Sequence, residues 1–135
     1  MSDVNEVHSA AARASNATKI YGKGDTLVTA LDSVDISFEA GKFSAIMGPS
    51  GSGKSTLMHC MAGLDNLSSG KVFIGDTDLT ELSEKELTLL RRSNIGFIFQ
   101  SFNLVPTLNA LENITLPIDL SGNKDDMDWV DQITE

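Results

Sequence analysis

Hydrophobic and polar positions change period several times along the chain, and each change predicts an element. Weak strand signals stand at residues 18–21 and 27–31, and Val34, Ile36 and Phe38 alternate with polar residues as a half-buried strand does. Gly22-Lys23-Gly24-Asp25 reads as the turn between the first two. A second turn at residues 39–42 leads into Phe43-Ser44-Ala45-Ile46-Met47, a largely apolar run of buried-strand character. Leu57, Met58, Met61 and Leu64 then recur at helical spacing, with Gly63 as the stop. A turn at residues 68–70, a strand at 71–74 and a turn at Gly75-Asp76 follow. Ser83 and Glu86 fit a capping box, which predicts a helix to about Arg92. Ile95-Gly96-Phe97-Ile98-Phe99 reads as a buried strand, Pro106 as a break, and residues 109–114 as helix. From Asp125 an amphipathic helix begins, with Met127, Val130 and Ile133 on one side. Residues 1–16 are small, polar and acidic and read as a mobile leader, and residues 17–135 carry the pattern of one domain.

Between the apolar run at residues 43–47 and the helix lies Gly48-Pro49-Ser50-Gly51-Ser52-Gly53-Lys54-Ser55-Thr56, a full match to G-x-x-x-x-G-K-[ST]. The glycines let the backbone curl, so that successive N–H groups form a nest for an anion. Lys54 supplies a mobile positive charge for outer phosphates, and the Ser55 hydroxyl is suited to Mg²⁺. The following helix points the positive end of its dipole at the same place. At about 7% glycine usage such a match arises by chance in roughly a few chains per thousand. A flexible Gly/Ser linker is the bland alternative, but a linker is not flanked by a strand-like run and an apolar helix.

Composition narrows this without changing it. The 135 residues have room for one domain, and 41% hydrophobic content suits a folded chain. The formal charge is −9, which argues against a nucleic-acid partner, whose binding needs a basic face. A phosphate nest stays possible, because backbone dipoles and one lysine build it. No apolar run is long enough to span a bilayer, and the N-terminal residues lack the basic and apolar regions of a secretory signal. Cys60 is the only cysteine, so no internal disulfide forms, which fits a reducing cytosol and a core role. His8 and His59 are not grouped as metal ligands.

Several segments together resemble the ATPase subunit of ABC transporters: ALDSVDISFEAGKFSAIMGPSGSGKSTLMHCMAGLD, SSGKVFIGDTDLTELSEKEL and IGFIFQSFNLVPTLNALENITLPI. The resemblance covers roughly residues 17–120 and leans, through residues 92–117, to the branch of macrolide exporters, lipoprotein-release systems and antimicrobial-peptide pumps. It implies an α/β P-loop NTPase fold of ABC type, incomplete here, with part of a parallel core sheet and an N-terminal antiparallel β subdomain. It implies ATP and Mg²⁺ as ligands. Tyr21 corresponds to the aromatic residue that stacks on adenine, and Gln100 to the Q-loop glutamine, whose carbonyl oxygen can ligate Mg²⁺ or hold a water. Lys54 and Gln100 are then the candidate catalytic groups, with Ser55 and Gln100 facing the metal. Phe102, Leu104, Val105 and Leu108 would meet a membrane permease subunit, with core packing as their other reading. The resemblance also implies a second ATPase subunit in a head-to-tail dimer and a cytoplasmic, peripheral place at the inner face of the cell membrane. The branch points to export.

Four family motifs are absent from these 135 residues: the LSGGQ signature, the Walker B strand, the D-loop and the switch histidine. Leu120-Ser121-Gly122-Asn123-Lys124 has Asn123 where a signature has its second glycine, lies too close to Gln100, and reads as a polar loop. Phosphoryl transfer is mostly positioning and charge stabilisation. The expectation is therefore nucleotide binding without hydrolysis by this chain alone, and marginal stability where a parallel sheet lacks neighbours. Two other readings compete. One is a non-catalytic nucleotide-binding or interaction fragment. The other is a GTPase, since Asn123-Lys124-Asp125-Asp126 fits N-K-x-D, although Pro117 and Asp119 interrupt the strand that should precede it. A small-molecule kinase leaves Tyr21 and the Gln100 segment without a role.

Overall fold

A computed structural model describes residues 10–122 and 127–134, and the N-K-x-D residues 123–126 lie outside them. The chain divides into two compact units, residues 1–87 and 88–135.

The first unit is built on a four-stranded antiparallel sheet: β1 (Ala10–Tyr21), β2 (Val28–Glu39), β3 (Ser69–Ile74) and β4 (Thr77–Asp78), in the order β2-β1-β3-β4. Helix α1 (Lys54–Met61) lies against β1, β2 and β3. Leu57, Cys60 and Met61 of α1 are buried, as are Ala14, Ala17, Leu31 and Val72 of the sheet. A small core of this kind stabilises by the apolar area it removes from water, and alanines at the sheet face let the helix approach closely.

Strand β1 starts at Ala10, so residues 10–16, read from the sequence as leader, form its first half. Alanine is a poor strand former, and the alternation is interrupted, which hid the strand. The interruption is a bulge: Asn16 has φ 47°, and the pairing with β2 shifts between Ala14 and Ala17. The bulge puts both Ala14 and Ala17 on the buried side. Ser33 (φ 49°) marks a matching irregularity in β2, which joins the two runs predicted at 27–31 and 34–38 into one strand. Side chains stitch the two irregularities, with Asn16 N–H donating to Asp35 Oδ1 (2.9 Å) and Ser33 N–H to Thr18 Oγ1 (3.0 Å). Gly70 of β3 (φ 89°) faces the same bulge, where a Cβ would run into the Asn16 carbonyl oxygen.

The predicted capping box forms: Glu86 N–H donates to Ser83 Oγ (3.3 Å) and Ser83 N–H to Glu86 Oε2 (2.8 Å). It opens α2 (Glu84–Asn94), whose Leu87 is buried over Gly63 and Leu79.

In the second unit, Asn109 and Glu112 make another reciprocal cap (2.8 and 2.9 Å) and start α3 (Ala110–Ser121). The helix runs through Pro117 to Gly122, which has φ 73° and closes it with an N–H bond to the Ile118 carbonyl (3.0 Å). It therefore extends well past the predicted end at Ile114, and residues 120–121 are its last turn rather than a loop. Strong caps at both ends outweigh one proline in the interior. A last helix, α4 (Met127–Thr134), buries Val130 and leaves Trp129 and Ile133 exposed.

Of the α/β P-loop fold that the sequence implies, the antiparallel subdomain and the helices are formed. The predicted parallel strands at 43–47 and 95–99 are not: neither run pairs in a ladder among the described residues. Phe43 is 99% exposed, Met47 88% and Ile98 97%. A strand exists only through its hydrogen-bonded neighbours, and an apolar pattern alone supplies none.

Candidate functional site

The P-loop sits where the first unit's sheet meets α1. Gly51 (φ 81°) and Gly53 (φ 92°) adopt the left-handed backbone that glycine tolerates. Gly53 is also pressed against β2: a Cβ there would run into the Ala30 carbonyl oxygen and lie 3.2 Å from Leu31 Cδ2. Around Gly51 there is open space. Gly53 is the N-cap of α1, and Leu57 N–H donates back to its carbonyl at 2.9 Å. Ser52 N–H donates to the Pro49 carbonyl at 3.2 Å, which tightens the turn.

The Lys54 ammonium donates to the carbonyl oxygens of Gly48 (2.5 Å) and Pro49 (2.7 Å) and stands 3.5 Å from Ser52 Oγ. It thus ties the two ends of the loop together. Ser50, Gly51, Gly53, Lys54, Ser55 and Thr56 line a cavity of about 340 Å³. Ser55 is exposed in it. The donor set is one ammonium, hydroxyls and backbone N–H groups at a helix start. That set fits a polyphosphate, and the Ser55 hydroxyl fits a hard cation such as Mg²⁺.

Tyr21 ends β1, which packs against α1, and the Thr56 hydroxyl of α1 is among the groups that act on its phenol. The structure also shows partners that the sequence pattern did not single out. Tyr21 Oη donates to Asp65 Oδ2 at 2.7 Å, and the Lys19 ammonium donates to Asp65 Oδ1 at 2.7 Å and to the Asn66 carbonyl at 2.5 Å. The Lys19 Nζ lies 4.9 Å from the Tyr21 ring centroid, within cation–π range. Lys19 and Tyr21 are two apart on a strand and share a face, which strand alternation foretells. Asp65 comes from the loop after α1, and no spacing rule reaches it.

Charge in this cluster is self-consistent. The hydrogen bond from Lys19, then that from Tyr21, holds the Asp65 carboxyl below its ordinary range. Asp65 in turn raises the Lys19 ammonium. It raises the Tyr21 phenol as well, with burial adding and the Thr56 hydroxyl opposing. Cys60 is buried nearby, and burial pushes its thiol up.

The remaining predicted residues belong to the second unit. Gln100 is exposed at a bend after residues 95–99. Phe102 (94%) and Leu104 are exposed, whereas Val105 and Leu108 are half-buried. Asn113 of α3 accounts for that difference. Its Oδ1 accepts from Val105 N–H (2.8 Å), and its Nδ2 donates to the carbonyls of Asn109 (2.8 Å), Leu108 (3.1 Å) and Val105 (3.3 Å).

The ABC transporter family profile matches residues 31–135. The macrolide export ATP-binding/permease protein MacB of Bdellovibrio bacteriovorus is 50% identical over 100 residues, which are 74% of this chain and 15% of that protein. The lipoprotein-releasing system ATP-binding protein LolD of Blochmanniella floridana is 44% identical over 110 residues, 82% of this chain and 47% of that one. A dimeric post-hydrolysis structure of an ATP-binding cassette from Methanocaldococcus jannaschii, bound to ADP and Pi, superposes with a TM-score of 0.78 at 44% identity, covering 82% of this chain and 47% of that one. The chain therefore spans less than half the length of these relatives, and it belongs to the ABC transporter family.

Proposed function

We propose that this chain carries the nucleotide-gripping part of an ABC transporter ATPase: it binds ATP with Mg²⁺ in the service of membrane transport, and export is the direction its relatives favour. The observation that carries this reading is the meeting of the two predicted halves of a nucleotide site. Ser50, Gly51, Gly53, Lys54, Ser55 and Thr56 line the P-loop cavity, and the Thr56 hydroxyl is among the groups that act on the Tyr21 phenol.

Each residue then has a task. Backbone N–H groups of Gly51 to Ser55 and the Lys54 ammonium receive the phosphates, with Lys54 exchanging its bonds to the Gly48 and Pro49 carbonyls for phosphate oxygens. The Tyr21 ring offers a face to adenine. Ser55 and, by resemblance, Gln100 are the proposed ligands of the cation. Mg²⁺, when bound, supplies neutralising charge for the phosphate oxygens. A Walker B carboxylate and a signature loop do not occur in the 135 residues, so we propose binding with negligible turnover by this chain alone.

The names of the relatives support a transport role: one is a macrolide export ATP-binding/permease protein and one a lipoprotein-releasing system ATP-binding protein. By the same reasoning we assign a permease contact to the exposed Phe102 and Leu104, with Val105 and Leu108 beside them, and a second ATPase subunit as the dimer partner of the whole protein. No helix among the described residues is long and apolar enough to cross a membrane. The place we propose is the inner face of the cell membrane, on a permease.

Equilibrium binding of ATP and GTP with Mg²⁺, to the chain and to Lys54→Ala and Tyr21→Ala, tests the reading. We expect ATP to be preferred over GTP, and each substitution to weaken binding by about tenfold or more, the effect of removing one charge-assisted or stacking contact. Preference for GTP, or ATP binding indifferent to both changes, overturns it.

A further inference from the structure

We propose that Asp65 is the positioning residue of the nucleotide site: its carboxylate grips the Tyr21 hydroxyl with one oxygen and the Lys19 ammonium with the other. The ring is thereby fixed with Lys19 on one face and the opposite face left for a base. The inference rests on the reading of Tyr21 as the base-stacking residue and adds to it the group that sets the ring's angle.

Three observations on different elements support it. The two bonds to Asp65 are both 2.7 Å, within the range of charge-assisted hydrogen bonds. The donors come from the end of β1 and the acceptor from the loop that ends α1, so the carboxylate ties the ring to the helix that begins at Lys54. Asp65 is itself held: its Oδ1 accepts from Asn66 N–H at 2.8 Å, and its own N–H donates to the His59 carbonyl at 3.3 Å. A ring with 41% of its residue surface exposed has freedom to rotate about χ1 and χ2 unless something fixes it. A base stacks well only on a ring already at the right tilt, because fixing the ring in advance removes an ordering cost from binding.

Charge explains why an acidic residue serves here, next to a site for a polyanion. Lys19 and Tyr21 engage both carboxylate oxygens, so the negative charge is offset by the Lys19 ammonium. The groups facing Tyr21 are Asp65 and Lys19, with Thr56 from α1, and Cys60 of α1 stands near Asp65 and Lys19.

The test uses the fact that Tyr21 is the only tyrosine. Phenolate absorbance at 295 nm, followed against pH in the full chain, reports this one ring. We expect it to ionise above the ordinary tyrosine value, and to move back toward that value in Asp65→Asn. In parallel, ATP affinity is measured for Asp65→Asn, Tyr21→Phe, the double variant and Asp65→Glu. Each single variant should weaken ATP binding by about threefold to tenfold, the range of one partly exposed charge-assisted bond. The double variant should lose no more than the larger single loss, because both remove the same bond. Asp65→Glu should recover part of it.

Ordinary ionisation of Tyr21 in the unaltered chain overturns the proposal, and this readout does not require any variant to fold. Additive losses in the double variant overturn it as well. If Tyr21→Ala weakens ATP binding and Asp65→Asn does not, the positioning role fails and the nucleotide reading stands. If Tyr21→Ala leaves ATP binding unchanged, the reading itself fails, and the inference with it.

Discussion

Replacing Gly53 by alanine separates two physical costs that a P-loop glycine can carry. The first is backbone conformation: Gly53 sits at φ 92° and Gly51 at φ 81°. An L-residue in the left-handed region costs about 1–2 kcal/mol. That cost applies to both positions. The second is space, and here the two differ. At Gly51 an added Cβ meets nothing, whereas at Gly53 it meets the Ala30 carbonyl of β2. A backbone oxygen within a sheet cannot swing aside as a side chain can, so the loop must lift off β2, an overpacking cost of about 1–3 kcal/mol more. The expectation is about 1 kcal/mol for Gly51→Ala and about 3 kcal/mol for Gly53→Ala, or roughly fivefold and a hundredfold in the opening equilibrium. Cys60 reports that opening. It is the single cysteine, it lies on α1 and is buried at 3% exposure, and burial keeps its thiol protonated to higher pH than usual. The rate of thiol labelling by a disulfide reagent in native buffer should rise modestly for Gly51→Ala and steeply for Gly53→Ala. Equal rates in the two variants would refute the spatial argument and leave only backbone conformation.

Three further outcomes follow from local geometry. Asn113→Leu removes the four hydrogen bonds that the Asn113 side chain makes to residues 105–109, at a cost of about 2–3 kcal/mol to that turn. The Val105 amide should lose its protection from hydrogen exchange while the Ala14 and Val72 amides keep theirs. The Lys19–Asp65–Tyr21 cluster should contribute stability over a window of pH. Asp65 is depressed in the fold, so its share is present above the ordinary Asp value of about 3.9 and is lost as pH falls through the lower, folded value. Lys19 and Tyr21 are raised, so their share is complete below their ordinary values of about 10 and is lost as pH rises through the folded ones. Urea midpoints measured from pH 3 to 11 should show both losses, and Asp65→Asn should flatten both limbs; an unchanged profile in that variant refutes the assignment. Finally, Phe43 and Met47 are large, apolar and almost fully exposed. Phe43→Ser with Met47→Ser should raise the concentration at which the chain begins to associate in light scattering, with no loss of the far-UV signal of the sheet.

What the sequence discloses depends on the range over which each feature is decided. The G-x-x-x-x-G-K-[ST] loop lies within nine residues, so its turn at Gly51 and Gly53 and the helix start after it are decided locally. Helix starts are equally local, so the Ser83–Glu86 cap was readable. The Asn109–Glu112 cap has the same form, and together with the closing Gly122 it carries α3 through Pro117 and past the expected end at Ile114. Features made by residues far apart were not readable. Asp65 meets Lys19 and Tyr21 across more than forty positions, and the only hint was that two residues of one strand share a face. The first half of β1 is alanine-rich and bulged at Asn16, so neither propensity nor alternation marked it.

The runs at 43–47 and 95–99 show the limit from the other side. Their patterns describe the burial these residues are suited to, on both faces of a sheet, and that is a statement about side chains. A ladder is a statement about backbone partners, and among the described residues neither run has one. The phosphate loop nevertheless takes its shape directly after the unpaired run at 43–47. What holds it is on its other side: Gly53 rests on the Ala30 carbonyl of β2, Leu57 and Cys60 pack α1 into the core, and Lys54 ties the loop to its own beginning at Gly48. The shape of the loop thus draws on the antiparallel sheet and on the loop itself. Gly53→Ala, which disturbs the loop's rest on β2, should therefore damage the site more than Met47→Ser, which alters only the exposed run before it.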